Sequence, residues 1–220
     1  MSKIHYELVI ATPGGSFKQE YVDSLVRTMD WAAESGVRVK WLNKASSFVP
    51  SARELTATNT FVHNWDTNTI GSGEFTYTYV LWIDSDVSWE PEDIERLMEH
   101  DLDVVGGLYR TTMEGTVAVA LDNGSGLPRK VNEVEFIMED EPFEVWGIGF
   151  GFVLMKHGVF EKMDRPWFEI EKIRWPEHSF DTNVGEDYSW CIRARRAGFK
   201  VMVDPKVKLG HTKETVFQVR

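Results

Sequence analysis

Val80-Leu81-Trp82-Ile83-Asp84-Ser85-Asp86 (VLWIDSD) decides how this chain is read. Val80 to Ile83 shows no polar alternation, the pattern of a strand covered on both faces, and such strands belong to parallel sheets flanked by helices. Upstream, Tyr6 to Ala11 (YELVIA) predicts a strand ended by Thr12-Pro13-Gly14-Gly15. From Phe17 to Ser35, the residues Tyr21, Val22, Leu25, Val26, Met29 and Ala33 recur at helical spacing, and Gly36 supplies a stop. Val37 to Leu42 predicts a second strand, and a helix is expected from Ser51 to His63. Downstream, Pro91 opens a short helix through Glu99 with acids in its first turn. Asp103 to Val105 returns as a strand into Gly106-Gly107. This strand–helix alternation implies an α/β fold with a mostly parallel central sheet.

The second half is less regular. Turn residues cluster from Asp122 to Pro128, with antiparallel strands expected around them, and a glycine-rich apolar stretch runs from Trp146 to Met155 (WGIGFGFVLM). Asp187 to Ala197 predicts a helix stopped by Gly198, and Lys200 to Val203 a strand. No linker, repeat or low-complexity tract divides the chain, so one domain over 1–220 is expected, with a mixed, partly antiparallel C-terminal part.

The 220 residues are 42% hydrophobic and carry a net charge of −11. Such acidity argues against non-specific nucleic-acid binding, which needs Lys and Arg against phosphate, and against docking on anionic membranes. One cysteine, Cys191, excludes an internal disulfide and a Cys-rich zinc site. No apolar run approaches the roughly 20 residues that span a bilayer. Met1 to Ala11 lacks a signal-peptide core, so a soluble cytoplasmic domain is expected.

Three groups of residues can carry chemistry. Asp84 and Asp86 stand at i and i+2 of an extended segment and can face one point, with Ser85 turned away. That point is the C-terminal end of a buried parallel strand, where open α/β sheets bind ligands. Two adjacent carboxylates repel, and a hard divalent cation such as Mg²⁺ or Mn²⁺ relieves them. A solvated acidic turn before the Pro91 helix gives the same triplet. Second, Gly185-Glu186-Asp187 opens a helix. Acids there also serve the helix dipole, but Asp187, Trp190, Cys191 and Ala194 share one face, which turns Asp187 inward and leaves Glu186 the weaker candidate. Third is His211, beside Gly210. The other histidines, His5, His63, His100, His157 and His178, are taken as ordinary surface or core residues.

Taken together, the chain resembles glycosyltransferases of the GT-A fold, close to the inverting family-2 type, and most of all the short single-domain versions encoded by phages and large viruses. The marks are VLWIDSDVSWEPEDIERL (Val80 to Leu97), DVVGGLYR (Asp103 to Arg110), WGIGFGFVLMKHGVFEKM (Trp146 to Met163), GEDYSWCIRARRAGFKVMVDP (Gly185 to Pro205) and His211. The order D-x-D, glycine-rich apolar strand, acidic pair on a helix, strand, His is far more specific than a D-x-D alone. The resemblance implies a nucleotide-binding half over 1–110 and an acceptor and catalytic half over 111–220. It implies Asp86 as principal ligand of Mn²⁺ or Mg²⁺, Asp84 on the ribose or the metal, and His211 completing the metal site. Thr12, Pro13, Arg53 and Ser85 would hold the nucleotide of a nucleotide-diphosphate sugar. Trp146, Gly147 and Gly149 would line the sugar and acceptor pocket, and Asp187, with Glu186 beside it, would be the base for a carbohydrate or glycoprotein acceptor. Where relatives tend to have Arg-Asn, this chain has Arg53-Glu54.

Other readings compete. A haloacid-dehalogenase-type phosphatase also uses Asp-x-Asp, but on its first strand, and here two expected strands precede Asp84. A sugar nucleotidyltransferase would need an Arg in the loop after the first strand, and Thr12 to Phe17 has none. Gly147, Gly149 and Gly151 have the wrong spacing for a dinucleotide-binding turn. A non-catalytic sugar-binding module would need neither Asp187 nor His211.

Overall fold

The computed structural model describes residues 3–61, 66–174 and 179–214. His63 and His178 lie outside the described residues, but the helix expected from Ser51 to His63 runs over Val49–Thr58 and stops there because Asn59 takes the left-handed conformation (φ 57°).

Seven strands form the central sheet in the order β2-β1-β3-β10-β5-β13-β8. These are β1 (His5–Pro13), β2 (Val39–Lys44), β3 (Thr76–Ile83), β5 (Val104–Leu108), β8 (Phe143–Glu144), β10 (Phe152–Lys156) and β13 (Met202–Lys208). β1 runs parallel to β2 and β3, and β13 runs parallel to β5. β10 lies antiparallel between β3 and β5. The mostly parallel sheet expected from the sequence is present, but the glycine-rich stretch assigned to the irregular half supplies its middle strand.

Alternation along β3 explains why Val80 to Ile83 is wholly apolar. Val80 and Trp82 join Val9 and Ala11 in one core cluster, while Leu81 and Ile83 join Leu8 and Ile10 in the other. Each face is covered by helices. α2 (Val49–Thr58) and α4 (Glu186–Arg196) place Ala57, Trp190, Cys191 and Ala194 on the first. α1 (Gln19–Ser35) and α3 (Pro91–Glu99) place Tyr21, Ile94 and Leu97 on the second. Each such large apolar side chain stabilises by roughly 1.5–3 kcal/mol when fully buried.

The buried face of α1 differs from the expected one. Tyr21, Ser24, Thr28 and Ala32 are buried, whereas Val22 and Val26 are exposed. The cause is Trp89: its backbone N–H donates to Ser24 Oγ (3.0 Å) and its indole N–H to Thr28 Oγ1 (2.8 Å). A buried indole with unmet N–H groups would be costly, so hydroxyls displace aliphatics on that face. Gly36 ends α1 in the left-handed region (φ 71°), as its position predicted. Trp82, on the central strand β3, is fully buried, whereas Trp41, on the edge strand β2, is 39% exposed.

Smaller elements frame the C-terminal end of β3. β14 (Gly210–His211) pairs antiparallel with β4 (Val87–Ser88). β6 (Thr116–Asp122), flanked by β7 (Pro128–Asn132) and β9 (Gly147–Ile148), makes the antiparallel sheet expected near 122–128. β11 (Lys172–Arg174) and β12 (Asp181–Asn183) form a hairpin before α4.

Glu54, the departure noted in the sequence, is explained by a buried ion pair. Its carboxylate meets Arg165 Nη2 at 3.0 Å and accepts the Phe168 N–H at 3.0 Å, with both charged side chains under a tenth exposed. Removing one partner of such a pair typically costs about 3–5 kcal/mol. Glu54→Ala is therefore expected to lower urea-unfolding stability by about 3 kcal/mol. A loss below about 0.5 kcal/mol would show the pair to be dispensable.

Candidate active site

The sheet delivers Asp84 to the tip of β3, and the backbone then fixes the loop behind it. The Asp84 N–H donates to the Gly151 carbonyl (3.2 Å), the Lys18 N–H to the Ser85 carbonyl (3.0 Å), and the Thr212 N–H to the Asp86 carbonyl (2.8 Å). Three segments distant in sequence thus hold Asp84-Ser85-Asp86 in place. β4, immediately after the triplet, is clasped by β14, which carries His211.

Arg53, from α2, is the charged centre. Its Nη2 lies 3.0 Å from Asp84 and its Nε 3.0 Å from Glu186, and the residue is only 3% exposed. Burial works against its charge, but Asp84, Glu186 and Asp187 outweigh that cost and raise its pKa. Its guanidinium also faces the Phe150 ring at 5.2 Å, and Nη1 is buried with no hydrogen-bond partner.

Asp86 turns the other way. Its Oδ2 lies 3.2 Å from His211 Nε2 and 3.3 Å from Lys213 Nζ. Burial tends to raise the Asp86 carboxyl, yet His211 and Lys213 together hold it below the ordinary value. His211 Nδ1 donates to the Arg110 carbonyl at 2.6 Å, which fixes the ring and aims Nε2 at Asp86. The hydrogen bond to Asp86 raises the His211 pKa. Among the described residues no group of three or more His, Cys, Asp and Glu side chains is gathered to hold a metal ion. The set Asp84, Asp86 and His211 is therefore only partly assembled: Asp86 and His211 meet, while Arg53 draws Asp84 aside.

Asp187 sits in the first turn of α4, half-buried, with Oδ1 accepting the Tyr188 N–H at 2.7 Å. Burial and the neighbouring Glu186 push its carboxyl up to about 6, against the pull of Tyr188 N–H and Arg53.

Two cavities meet on these carboxylates. One, about 470 Å³, is lined by Pro13, Lys18, Arg53, Ser85 and Glu186 together with Asp84, Asp86 and Asp187. The other, about 400 Å³, shares those three aspartates and adds Tyr109, Tyr188, His211 and Lys213. Thr12 lines neither: it is fully buried and shares a 2.6 Å hydrogen bond with Tyr21. Trp146, Gly147 and Gly149 also lie outside both linings, buried behind the pocket wall. The absence of a side chain at the two glycines has a packing cause. A Cβ on Gly147 would lie 2.7 Å from the Tyr188 ring, and one on Gly149 2.4 Å from the Tyr109 hydroxyl. The tyrosines face the cavity, and the glycines admit them.

Sequence reasoning missed Tyr109, Tyr188, Lys18 and Lys213. Tyr109 is buried, its hydroxyl accepts the Gly151 N–H (3.1 Å), and its ring meets His211 edge-on at 5.1 Å. Burial pushes its pKa well above 10, so it stays neutral. Its position just past β5, another parallel strand ending at the same rim, was the available signal. On α4, Arg195 donates to the Trp146 carbonyl (3.2 Å) and Arg196 pairs at the surface with Glu171 (2.9 Å).

No protein-family model matches the sequence, and no curated protein sequence matches it. Solved structures do. A197 from STIV superposes with a TM-score of 0.53 at 19% identity, covering 99% of this chain and 98% of its own. GalNAc-T7, solved with UDP, GalNAc and Mn²⁺, superposes with a TM-score of 0.54 at 11% identity over 96% of this chain. The chain spans 44% of the GalNAc-T7 chain. The fold is accordingly of the GT-A type. Among the described residues, no helix is long and apolar enough to cross a membrane.

The raised Asp187 pKa has a consequence for stability. An unfolded aspartate titrates near 3.9, so the folded protein holds this proton more tightly. Ionising Asp187 therefore costs stability, fully so above about pH 6 and not at all below about pH 4. Asp187→Asn is expected to be about 2 kcal/mol more stable than the parent at pH 8, with the advantage vanishing towards pH 4. Equal unfolding midpoints in denaturant at pH 8 would contradict this.

Proposed function

We propose that this chain is a metal-dependent glycosyltransferase. It moves a sugar from a nucleotide diphosphate to a hydroxyl of a carbohydrate or glycoprotein acceptor, with inversion at the transferred carbon. The observation that carries the reading is the sharing of Asp84, Asp86 and Asp187 by two cavities at the tip of β3. A reaction between two substrates needs two sites that meet at the reacting atoms.

The cavity beside Pro13 and Ser85 takes the donor, and the one beside Tyr109 and Tyr188 takes the acceptor. The donor cavity holds four carboxylates against Arg53 and Lys18, so it cannot on its own welcome a diphosphate. Asp86 and His211 suit a hard divalent cation. A carboxylate and an imidazole nitrogen converge, and the imidazole is oriented by the Arg110 carbonyl behind it. Bound there, Mn²⁺ or Mg²⁺ would supply a Lewis acid for the charge that develops on the departing diphosphate. Asp84, braced by Arg53, orients the donor. Asp187 takes the proton of the attacking hydroxyl, and a pKa near 6 suits a base working at neutral pH. Glu186 acts behind it by anchoring Arg53.

The domain boundaries follow the same division. Residues 1–110 bring most of the donor side together with Tyr109 of the acceptor side, and 111–220 bring Glu186, Asp187, Tyr188 and His211, within one catalytic unit. A location in the cytoplasm suits nucleotide-sugar supply.

A thermal-shift screen of UDP-, GDP-, ADP- and dTDP-sugars with Mn²⁺ identifies the donor. With that donor, Asp187→Asn is expected to lose 10²–10⁴-fold in turnover while nucleotide affinity changes less than about twofold. Near-parental turnover would remove Asp187 from the chemistry. His211→Ala is expected to weaken Mn²⁺-dependent nucleotide binding at least about tenfold, as loss of a ligand-sphere residue typically does. Unchanged affinity would reduce His211 to a β-strand residue.

A further inference from the structure

Behind His211 lies a third cavity, of about 440 Å³, between β14 and the single turn at Glu133–Phe136. Its walls are Leu108, Val117, Phe136, Ile137 and Leu209. Two of its charged lining residues, Arg110 and Glu133, form a close ion pair. Lys208 is exposed at the rim, on the outer side of β13. The lining is thus mainly apolar, with Arg110, Glu133 and Lys208 as its charged members, and such a surface favours a hydrocarbon or aromatic group over a bare sugar. The apolar surface continues outward through Val134, Ile137 and Met138, each more than 60% exposed.

The cavity adjoins the acceptor side of the site, with shared side chains between the two. Tyr109, Val117 and His211 line both it and the cavity containing Asp187. A molecule whose hydroxyl reaches Asp187 and whose far end passes His211 enters the apolar cleft. We infer that the acceptor is a sugar carried on an apolar aglycone, an alkyl or aryl group, and that this cleft binds the aglycone. The inference rests on the glycosyl-transfer reading for what occupies the neighbouring cavity.

The test is an NMR titration of the full chain with methyl, butyl and hexyl β-D-glucosides, following the methyl signals of Val117, Ile137 and Leu209. Calorimetry with the UDP- or GDP-sugar and Mn²⁺ runs in parallel. Affinity is expected to rise about two- to fourfold for each added methylene, as burial of CH₂ groups predicts. Ile137→Asp puts a charge into the cleft at an exposed position that folding tolerates. It is expected to erase the chain-length dependence and leave donor binding unchanged. A response independent of chain length, or equal in Ile137→Asp, overturns the cleft assignment even if the donor binds. Chain-length dependence in a protein that binds no nucleotide-sugar keeps the apolar site but overturns its assignment to an acceptor.

Discussion

The guanidinium of Arg53, buried between Asp84 and Glu186, is the interaction on which this site depends. Those carboxylates come from the tip of β3 and the first turn of α4, and each lies 3.0 Å from the same side chain. Without a cation at that place, carboxylates crowded beside Asp187 would repel one another in a partly dry cleft. Arg suits the position better than Lys, because its planar fork reaches two carboxylates at once and rests against the Phe150 ring. The pairing also positions α4 against the central sheet, and with it Asp187.

Arg53 compensates only part of the charge. Asp86 and Asp187 remain on its far side, met by His211 and Lys213 in one case and by a single backbone N–H in the other. On the proposed glycosyl-transfer reading, the remaining acidity favours a diphosphate that arrives with a divalent cation over a diphosphate alone. Burial, with Glu186 beside it, lifts the Asp187 carboxyl into the range where it can take a proton. In that reading one acidic cleft serves both donor binding and base catalysis, and the fold bears a stability cost for it.

Local sequence showed the main elements because their causes are local. Val80 to Ile83 is apolar since both faces of β3 are covered, and Pro91 and Gly36 mark helix ends by their backbone preferences. Asp84, Asp86, Asp187 and His211 were legible because strand ends and helix starts place side chains predictably; of these Asp86 and His211 meet, while Arg53 draws Asp84 aside. What escaped the reading depends on distant partners. Ser24 and Thr28 look like poor core residues until Trp89 is laid beside them. Gly147 and Gly149 look like pocket floor until Tyr188 and Tyr109 are seen to fill that space. The pull of Arg53 on Asp84 joins residues 31 positions apart, and nothing in the D-x-D triplet signals it. β10 entering the sheet antiparallel between β3 and β5 is likewise a long-range choice that strand patterning does not reveal.

The most direct test of this account is calorimetric titration of UDP and GDP into the protein with Mn²⁺ and again with EDTA, beside the same titrations of Asp86→Ala. The account predicts nucleotide binding that requires the cation and is lost with Asp86. Equal affinity in EDTA, or an Asp86→Ala variant that binds as the parent does, would contradict it.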